Sequence, residues 1–226
     1  MVFLTATLPP KVVPKIRYMY HLPPSTVWIR DSTVRSNHAY QVQLYENRTE
    51  AAEAALRTLV SQLQAEHAGR GKIIVFCSTR EQTKDVATAL GCPCFHAEVG
   101  TDEEKRTLAE HLVTGQETVF SATSAWGLGI DDPHVRAVVS FGLQRNTIAW
   151  LQAAGRAGRD GQQSDIVLMQ PARLVRQQGL VAQINPLMAP ELQELVQGSI
   201  CARVVIDRFA DGDTTRTSCS PAEAPC

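Results

Sequence analysis

An alternation of apolar, strand-like runs with helical segments constrains the fold of this 226-residue chain more than any other feature. Residues 73–77 (IIVFC) form a continuous apolar run, which is typical of a parallel strand buried on both faces. Further strands are predicted over residues 40–45, 94–97, 119–122, 137–141 and 166–169. Because helical patterns separate most of these runs, the sequence predicts an α/β fold: a parallel sheet with helices on both faces.

Capping signals place several of the helices. Spacings typical of a capping box occur at Asn47 with Glu50, at Ser78 and Thr79 with Glu81 and Gln82, and at Thr101 with Glu104. Beyond residue 171 the pattern predicts helices over residues 172–178, 190–197 and 199–210, followed by a polar segment without regular structure. Near the N-terminus, residues 2–4 have the pattern of an edge strand, and residues 11–36 that of a short helix followed by a linker.

The composition bounds the functional classes. The chain is 44% hydrophobic and 20% charged, as expected of a soluble globular protein, and its net charge of −1 gives no overall attraction to nucleic acid. Any nucleic-acid binding must therefore come from a local surface. The sequence has no apolar run long enough to span a membrane and no secretory leader, and its six cysteines do not form a disulfide scaffold. We therefore expect an intracellular, reducing compartment and no membrane partner.

A segment rich in glycine and arginine, residues 152–161 (QAAGRAGRDG), is the strongest functional signal. It holds Arg156 and Arg159 three residues apart, between glycines that permit a close backbone approach. Guanidinium groups bind phosphate in a bidentate fork, so the segment predicts a polyphosphate site. A solvated turn or a loose tether for nucleic acid is the alternative interpretation.

The positions of the polar segments suggest where a ligand binds. In parallel α/β sheets, ligands bind beyond the carboxyl ends of the strands. Hydroxyl, glycine and charged residues cluster in residues 78–80, 123–131 and 156–160, and we expect each cluster to follow a strand end.

The motifs resemble, in order, those of the second RecA-like domain of superfamily-two helicases, and within that group the RecQ family of DNA helicases, in particular its fungal branch. The matching segments are TAT at residues 5–7 (motif III), residues 73–80 (motif IV), residues 95–99 (FHAEV), residues 121–139 (motif V) and residues 152–161 (motif VI). In addition, residues 201–209 (CARVVIDRF) resemble the helix that opens the RecQ zinc-binding subdomain. The resemblance implies a remnant of the first RecA-like domain and a linker over residues 1–36, the helicase C-terminal RecA-like domain over 37–171, and the start of a small, mostly helical zinc-binding subdomain over 172–226.

The resemblance also implies roles for individual residues. Arg159 would be the arginine finger that reaches the γ-phosphate of ATP, Arg156 a second phosphate or interdomain contact, and Gln152 a coupling residue. Gly129 and Asp131 would approach the nucleotide, and Asp131 would also hold Arg159. The residues implied to contact the phosphates of single-stranded or partly duplex DNA are Thr5, Thr7, Ser78, Arg80, Ser121 and Thr123.

The cofactors follow from the same resemblance. ATP and Mg²⁺ would be held mostly by the first RecA-like domain, because this chain has neither a G-x-x-x-x-G-K-[ST] loop nor an acidic box of the DEAH type. RecQ-like zinc sites use four cysteines, and Cys201, Cys219 and Cys226 are the candidate ligands here. We therefore expect a 3′ to 5′ DNA helicase fragment that alone neither hydrolyses ATP nor unwinds DNA, and a nuclear location. Ala153 departs from the glutamate that is usual in the family.

Several alternatives remain open at this stage. The chain could be a non-catalytic remnant that binds nucleic acid or a partner, or a lobe of an RNA helicase, which shares motifs IV to VI. Arg159 could form a surface salt bridge with Asp131 or Asp160, and Asp131 could cap the turn before Pro133. Ser78 and Thr79 could act as helix caps as well as DNA contacts.

Overall fold

A mainly parallel sheet of seven strands forms the centre of the molecule in the computed structural model, which describes residues 2–68, 70–115, 117–127, 131–175 and 178–226. The strands are β1 (His38–Glu46), β2 (Lys72–Cys77), β3 (Cys94–Phe95), β4 (Val119–Ala122), β5 (Val135–Phe141), β6 (Ser164–Val175) and β7 (Gly179–Ala182). Their order is β1-β6-β5-β2-β4-β3, with every neighbouring pair parallel, and β7 pairs with β6 antiparallel.

Seven α-helices accompany the sheet within these ranges: α1 (Val13–Met19), α2 (Thr49–Glu66), α3 (Arg80–Leu90), α4 (Asp102–Thr114), α5 (Thr147–Ala154), α6 (Pro190–Gln197) and α7 (Ala202–Ala210). Short 3-10 helices span Pro10–Val12 and Ser124–Gly127. Among the helices of the described ranges, none combines the length and the apolar composition that crossing a membrane requires.

The two faces of the sheet carry separate hydrophobic cores. Along β2, Ile74 and Phe76 face the core formed with α4, α5, α6 and α7, whereas Ile73 and Val75 face the core formed with α2 and α3. This arrangement follows from the alternation of side chains along a strand, and it explains why β2 is apolar at consecutive positions. The predicted parallel sheet with helices on both faces is confirmed.

Three local predictions are wrong. The helix predicted over residues 172–178 is wrong, because β6 continues to Val175 and β7 begins at Gly179. β6 thus runs across residue 171, where the resemblance places a domain boundary, and α6 and α7 pack into the same core as α5, while the division into domains itself stays a prediction. Asn47 caps no helix, since its side chain donates to Gln183 Oε1 (3.0 Å) and α2 begins without a side-chain cap. Residues 2–4 lie in no strand.

Other local predictions are confirmed. Thr101 and Glu104 form the complete capping box of α4, and Thr79 accepts a hydrogen bond from the backbone N–H of Gln82 at the start of α3. The helix predicted over residues 190–197 is α6. Residues 211–226 form neither helix nor strand, as the polar pattern predicts.

Candidate functional site

The loop that connects α5 to β6 carries the two arginines and is named here the Gly-Arg loop (residues 155–161). Gly158 has a φ of +59°, and a Cβ built on it would lie 2.4 Å from Asn37 Nδ2. Both the left-handed backbone and the close approach require glycine at this position. The backbone N–H of Gly158 donates to Val135 O (3.0 Å), at the first residue of β5. The loop therefore lies at the amino ends of the parallel strands.

This position corrects one prediction. Residues 156–160 do not follow a strand end, because α5 intervenes between β5 and the Gly-Arg loop. Only the segments that begin at Ser78 and Thr123 follow strand ends directly, after β2 and β4. Since α5 has eight residues, it is about 12 Å long, and it carries the chain from the carboxyl side of β5 back to the Gly-Arg loop.

A short segment before and at the start of β1, residues 35–38, holds the Gly-Arg loop and is named the strap. Asn37 Nδ2 donates to Gly158 O (2.9 Å) and to Gln162 O (2.8 Å). Two further strap side chains, Arg35 (3.2 Å) and His38 (3.1 Å), hydrogen-bond to Ala157 O. Sequence analysis missed the strap, because nothing in its residue pattern marks a contact with a loop about 120 positions away.

His38 contributes to the strap as a neutral side chain. It is 2% exposed, and burial, reinforced by the nearby charges of Arg35 and Arg203, lowers the pKa of His38 from 6.5 to about 4. The neutral ring donates through Nε2 to Ala157 O, and its Nδ1 lies 3.4 Å from the Tyr40 hydroxyl. His38 therefore holds the Gly-Arg loop without adding a positive charge of its own at neutral pH.

The two arginines of the loop lie beside one carboxylate. Arg159 Nη1 donates to Asp131 Oδ1 in an ion pair, and Arg159 Nε lies 3.4 Å from Gly155 O. Arg156 is half-buried, and burial together with the neighbouring Arg159 lowers its pKa. Asp160 forms its ion pair with Arg136 instead. The contact between Asp131 and Arg159 is the one expected of an arginine finger held by a carboxylate, and it is also an ion pair at the surface.

The segment that carries Asp131 has a buried anchor. Lys72 Nζ donates to Asp132 Oδ2 (2.9 Å) and to Val113 O, and the side chains of Lys72 and Asp132 are only 8% and 2% exposed. Asp132 also accepts the backbone N–H of His134 (2.9 Å). This ion pair, which sequence analysis missed, fixes the residue next to Asp131 and thereby places the partner of Arg159. Gly129 lies outside the described residues.

A cleft of about 340 Å³ runs along α5, from the residues that follow β2 and β4 to Arg156. It is lined by Ser78 and Ser124 at the carboxyl edge, by Gln152 on the helix and by Arg156 at the amino edge. Gln152 is exposed on α5, between the strand ends and the Gly-Arg loop. The structure thus brings Gln152, Arg156 and Ser78 to one continuous surface.

The residues expected to contact DNA differ in their exposure to solvent. Ser78 is exposed, and its hydroxyl donates to Leu143 O (2.7 Å), while Arg80 is exposed and paired with Glu98. Thr123 is half-buried directly after β4. Ser121, however, is fully buried, and its hydroxyl donates to Thr83 O (2.8 Å). The prediction that the Ser121 side chain contacts DNA is therefore wrong, because this side chain faces α3 and not solvent.

Thr5 and Thr7 lie in the N-terminal segment, apart from these strand ends in sequence. Thr5 Oγ1 lies 3.2 Å from Thr7 O and accepts the backbone N–H of Thr7 (3.3 Å), so the two residues form one local turn. A few residues later, Lys11 pairs with Glu191 at the start of α6 (3.0 Å). The ion pair between Lys11 and Glu191 attaches the N-terminal segment to α6.

The three candidate metal ligands meet in one cluster. The sulfur of Cys201 lies 3.3 Å from that of Cys219 and 3.0 Å from that of Cys226, and the latter two sulfurs lie 2.9 Å apart. Although burial opposes ionisation, hydrogen bonds from the other two cysteines hold the pKa of Cys226 below its ordinary value. Three converging thiols are a donor set that suits zinc.

Comparison with known proteins relates the chain to helicases. Residues 52–161 match the family model described as the helicase conserved C-terminal domain. The chain is 31% identical over 176 residues to the Bacillus subtilis (strain 168) protein described as "Probable ATP-dependent DNA helicase RecS", covering 74% of this chain and 33% of that protein. It is 25% identical to RecQ-like DNA helicase blm-1 of Caenorhabditis elegans, covering 100% of this chain and 24% of that protein.

A solved structure shows the same fold. S. cerevisiae Dbp5 bound to RNA and ADP BeF3 superposes with a TM-score of 0.63 at 18% identity, covering 87% of this chain and 48% of that chain. The fold and the family match define the C-terminal RecA-like domain of a superfamily-two helicase. With RecS and blm-1 as relatives, the chain belongs to the RecQ-type helicases, and it spans a third or less of the length of these two relatives.

Proposed function

We propose that this chain supplies the arginine finger and part of the DNA track of an ATP-dependent RecQ-type DNA helicase that moves 3′ to 5′. The observation that carries the proposal is the placement of Arg159 on a glycine loop, held by Asp131 and next to Arg156. A surface salt bridge alone gives no reason for the glycine at Gly158 or for the strap that fixes the loop backbone.

The phosphates of ATP and the Mg²⁺ ion would be held mainly by the other RecA-like lobe of the intact helicase. The contribution of this chain to ATP hydrolysis would be electrostatic. Arg159 would stabilise the charge that develops on the γ-phosphate, and Arg156 would contact a second phosphate or the facing lobe. Asp131 orients the guanidinium of Arg159 in advance, so that little reorganisation is needed during the reaction.

DNA would run along the carboxyl edge of the sheet. Ser78, Arg80 and Thr123 offer hydroxyl and guanidinium groups there, which grip phosphates without reading the base sequence. Thr5 and Thr7 would extend this track from the N-terminal segment. Gln152 lies in the cleft between this edge and Arg156, and we propose that it couples DNA position to the ATP site.

The test is DNA-stimulated ATP hydrolysis by the full-length gene product. We expect Arg159→Ala to lower the hydrolysis rate by about 10³-fold or more, because a finger residue acts on the transition state. Arg173→Ala, which removes an exposed arginine on β6, is the matched control and should leave the rate unchanged. Equal rates for the two variants would contradict the assignment.

The same assay separates two other functions. The fold is shared with a protein solved in complex with RNA, so RNA and DNA oligonucleotides of one sequence should be compared as stimulators. Stronger stimulation by RNA would favour an RNA helicase lobe. Nucleic-acid binding with no ATP hydrolysis in the full-length product would favour a non-catalytic remnant.

We also propose that Cys201, Cys219 and Cys226 bind zinc, as three of the four thiolates that RecQ-like zinc sites use. The convergence of the three sulfurs supports this assignment. Such a site contributes folding energy and takes no part in hydrolysis.

A nuclear location and a fungal-type origin remain part of the proposal.

A further inference from the structure

Arg203, on the first turn of α7, is a buried cation that the proposed chemistry does not use. Its side chain is 0% exposed. The guanidinium donates to four backbone carbonyl oxygens: Arg35 O (2.9 Å), Ser36 O (3.3 Å), His38 O (2.6 Å) and Ala224 O (3.0 Å). Three of these belong to the strap. A buried charge is costly unless its hydrogen bonds are made, so this arrangement strongly favours one conformation of the strap.

The strap transmits this constraint to the Gly-Arg loop. Its backbone carbonyls point to Arg203, while the side chains of Arg35, Asn37 and His38 reach the loop carbonyls. The backbone also joins the two, since Ser164 N–H donates to Asn37 O (2.9 Å) just after the loop. The strap is therefore a layer between Arg203 on one side and the loop on the other.

The C-terminal tail, residues 211–226, closes the arrangement. Ala224 N–H donates to Ser36 O (2.8 Å), and Tyr40 N–H donates to Pro225 O (3.3 Å), so the tail runs beside the strap and the start of β1. Glu223 Oε1 lies 3.8 Å from the Arg203 guanidinium and is itself held by Arg216. The tail thus supplies one of the four carbonyls and the nearest negative charge.

We propose that Arg203 is a positioning residue for the Gly-Arg loop, and that it makes the loop geometry depend on docking of the C-terminal tail. The guanidinium clamps the tail to the strap, and the strap fixes the carbonyls of Ala157 and Gly158. The functional value of this placement rests on the proposed function, because it presents Arg156 and Arg159 to a phosphate. The structural link does not depend on that function.

Hydrogen exchange of the 226-residue chain without nucleotide tests the link directly. In Arg203→Met, the amides of Gly158 and Ser164 should exchange faster by about tenfold or more, while those of β2 and β5 change by less than about twofold. Arg203→Lys, which keeps up to three donors, should show a smaller effect. Arg208→Met on the same helix is the control, since Arg208 is exposed and makes a surface ion pair with Glu194.

Two further variants keep the test decisive if Arg203→Met does not fold. Asn37→Ala leaves Arg203 intact and should accelerate the same loop amides, and a chain ending at residue 223 should do so by removing Ala224. Equal acceleration of loop and sheet amides in these variants would overturn the proposal, because it indicates a general loss of stability. Unchanged loop amides would also overturn it. Neither outcome depends on ATP hydrolysis, so failure here is distinct from failure of the proposed function.

Discussion

Protonation of His38 should control how the stability of this domain depends on pH. His38 lies at the start of β1, and its ring bridges the Gly-Arg loop and Tyr40. Arg35 and Arg203 lie nearby, so a protonated ring would add a third positive charge to a buried region. Replacing His38 with glutamine removes the titration but retains an amide that can donate to Ala157 O.

The magnitude follows from the pKa difference between the two states. His38 titrates near 6.5 in the unfolded chain and near 4 in the folded protein. Between these values the unfolded state binds more protons, so the free energy of unfolding falls as the pH falls. The contribution of His38 is fully present above pH 6.5 and lost by pH 4, a change of about 3 kcal/mol.

Urea denaturation at several pH values between 7 and 4 measures this change. The wild-type chain should lose about 3 kcal/mol more than His38→Gln across that range. Other titrating groups are common to both proteins and cancel in the difference, including Glu223, whose pKa Arg216 lowers to about 2. Parallel stability profiles for the two proteins would refute the argument.

Two further predictions concern the anchor and the cysteines. Lys72→Met should lower the free energy of unfolding by about 3–5 kcal/mol, because it leaves Asp132 buried and uncompensated. Adding Asp132→Asn should recover part of that loss in urea denaturation, and strict additivity would contradict the ion pair. In a cobalt(II) titration, the thiolate charge-transfer band of the wild-type chain should be weakened by Cys219→Ser and unaffected by Cys92→Ser, whose cysteine lies outside the cluster. The absence of a band in the wild type would contradict the metal site.

The sequence predicted the sheet because its local signals and its tertiary structure agree. The apolar run of β2 and the capping box at Thr101 each determine local structure through contacts a few residues apart. Residues 172–178 show the opposite case. Their composition suits a helix, but residues 172–175 instead pair with β7, so strand pairing overrides the local helix propensity.

Only the site residues that belong to a recognisable sequence motif could be predicted from the sequence. Arg156, Arg159 and Asp131 follow from motif residues, and the cysteines converge as their resemblance implies. The burial of Ser121 depends on which face of β4 it occupies, which the motif does not state.

The strap and Arg203 could not be predicted from the sequence. Arg203 contacts residues 35–38 across more than 160 positions, and its partners are backbone carbonyls, which every residue possesses. The types and spacing of residues therefore do not indicate such contacts. Physical interactions with the backbone over long sequence separations are therefore visible only in the structure.

The central claim, that Arg159 acts on the transition state of ATP hydrolysis, is tested most directly by nucleotide affinity. The full-length gene product, with Mg²⁺ and single-stranded DNA, should bind ADP–aluminium fluoride, a mimic of that state, about 100-fold or more weaker when it carries Arg159→Ala. Its affinity for ADP alone should change by less than about twofold. An equal loss for both ligands, or no loss for either, would contradict the account.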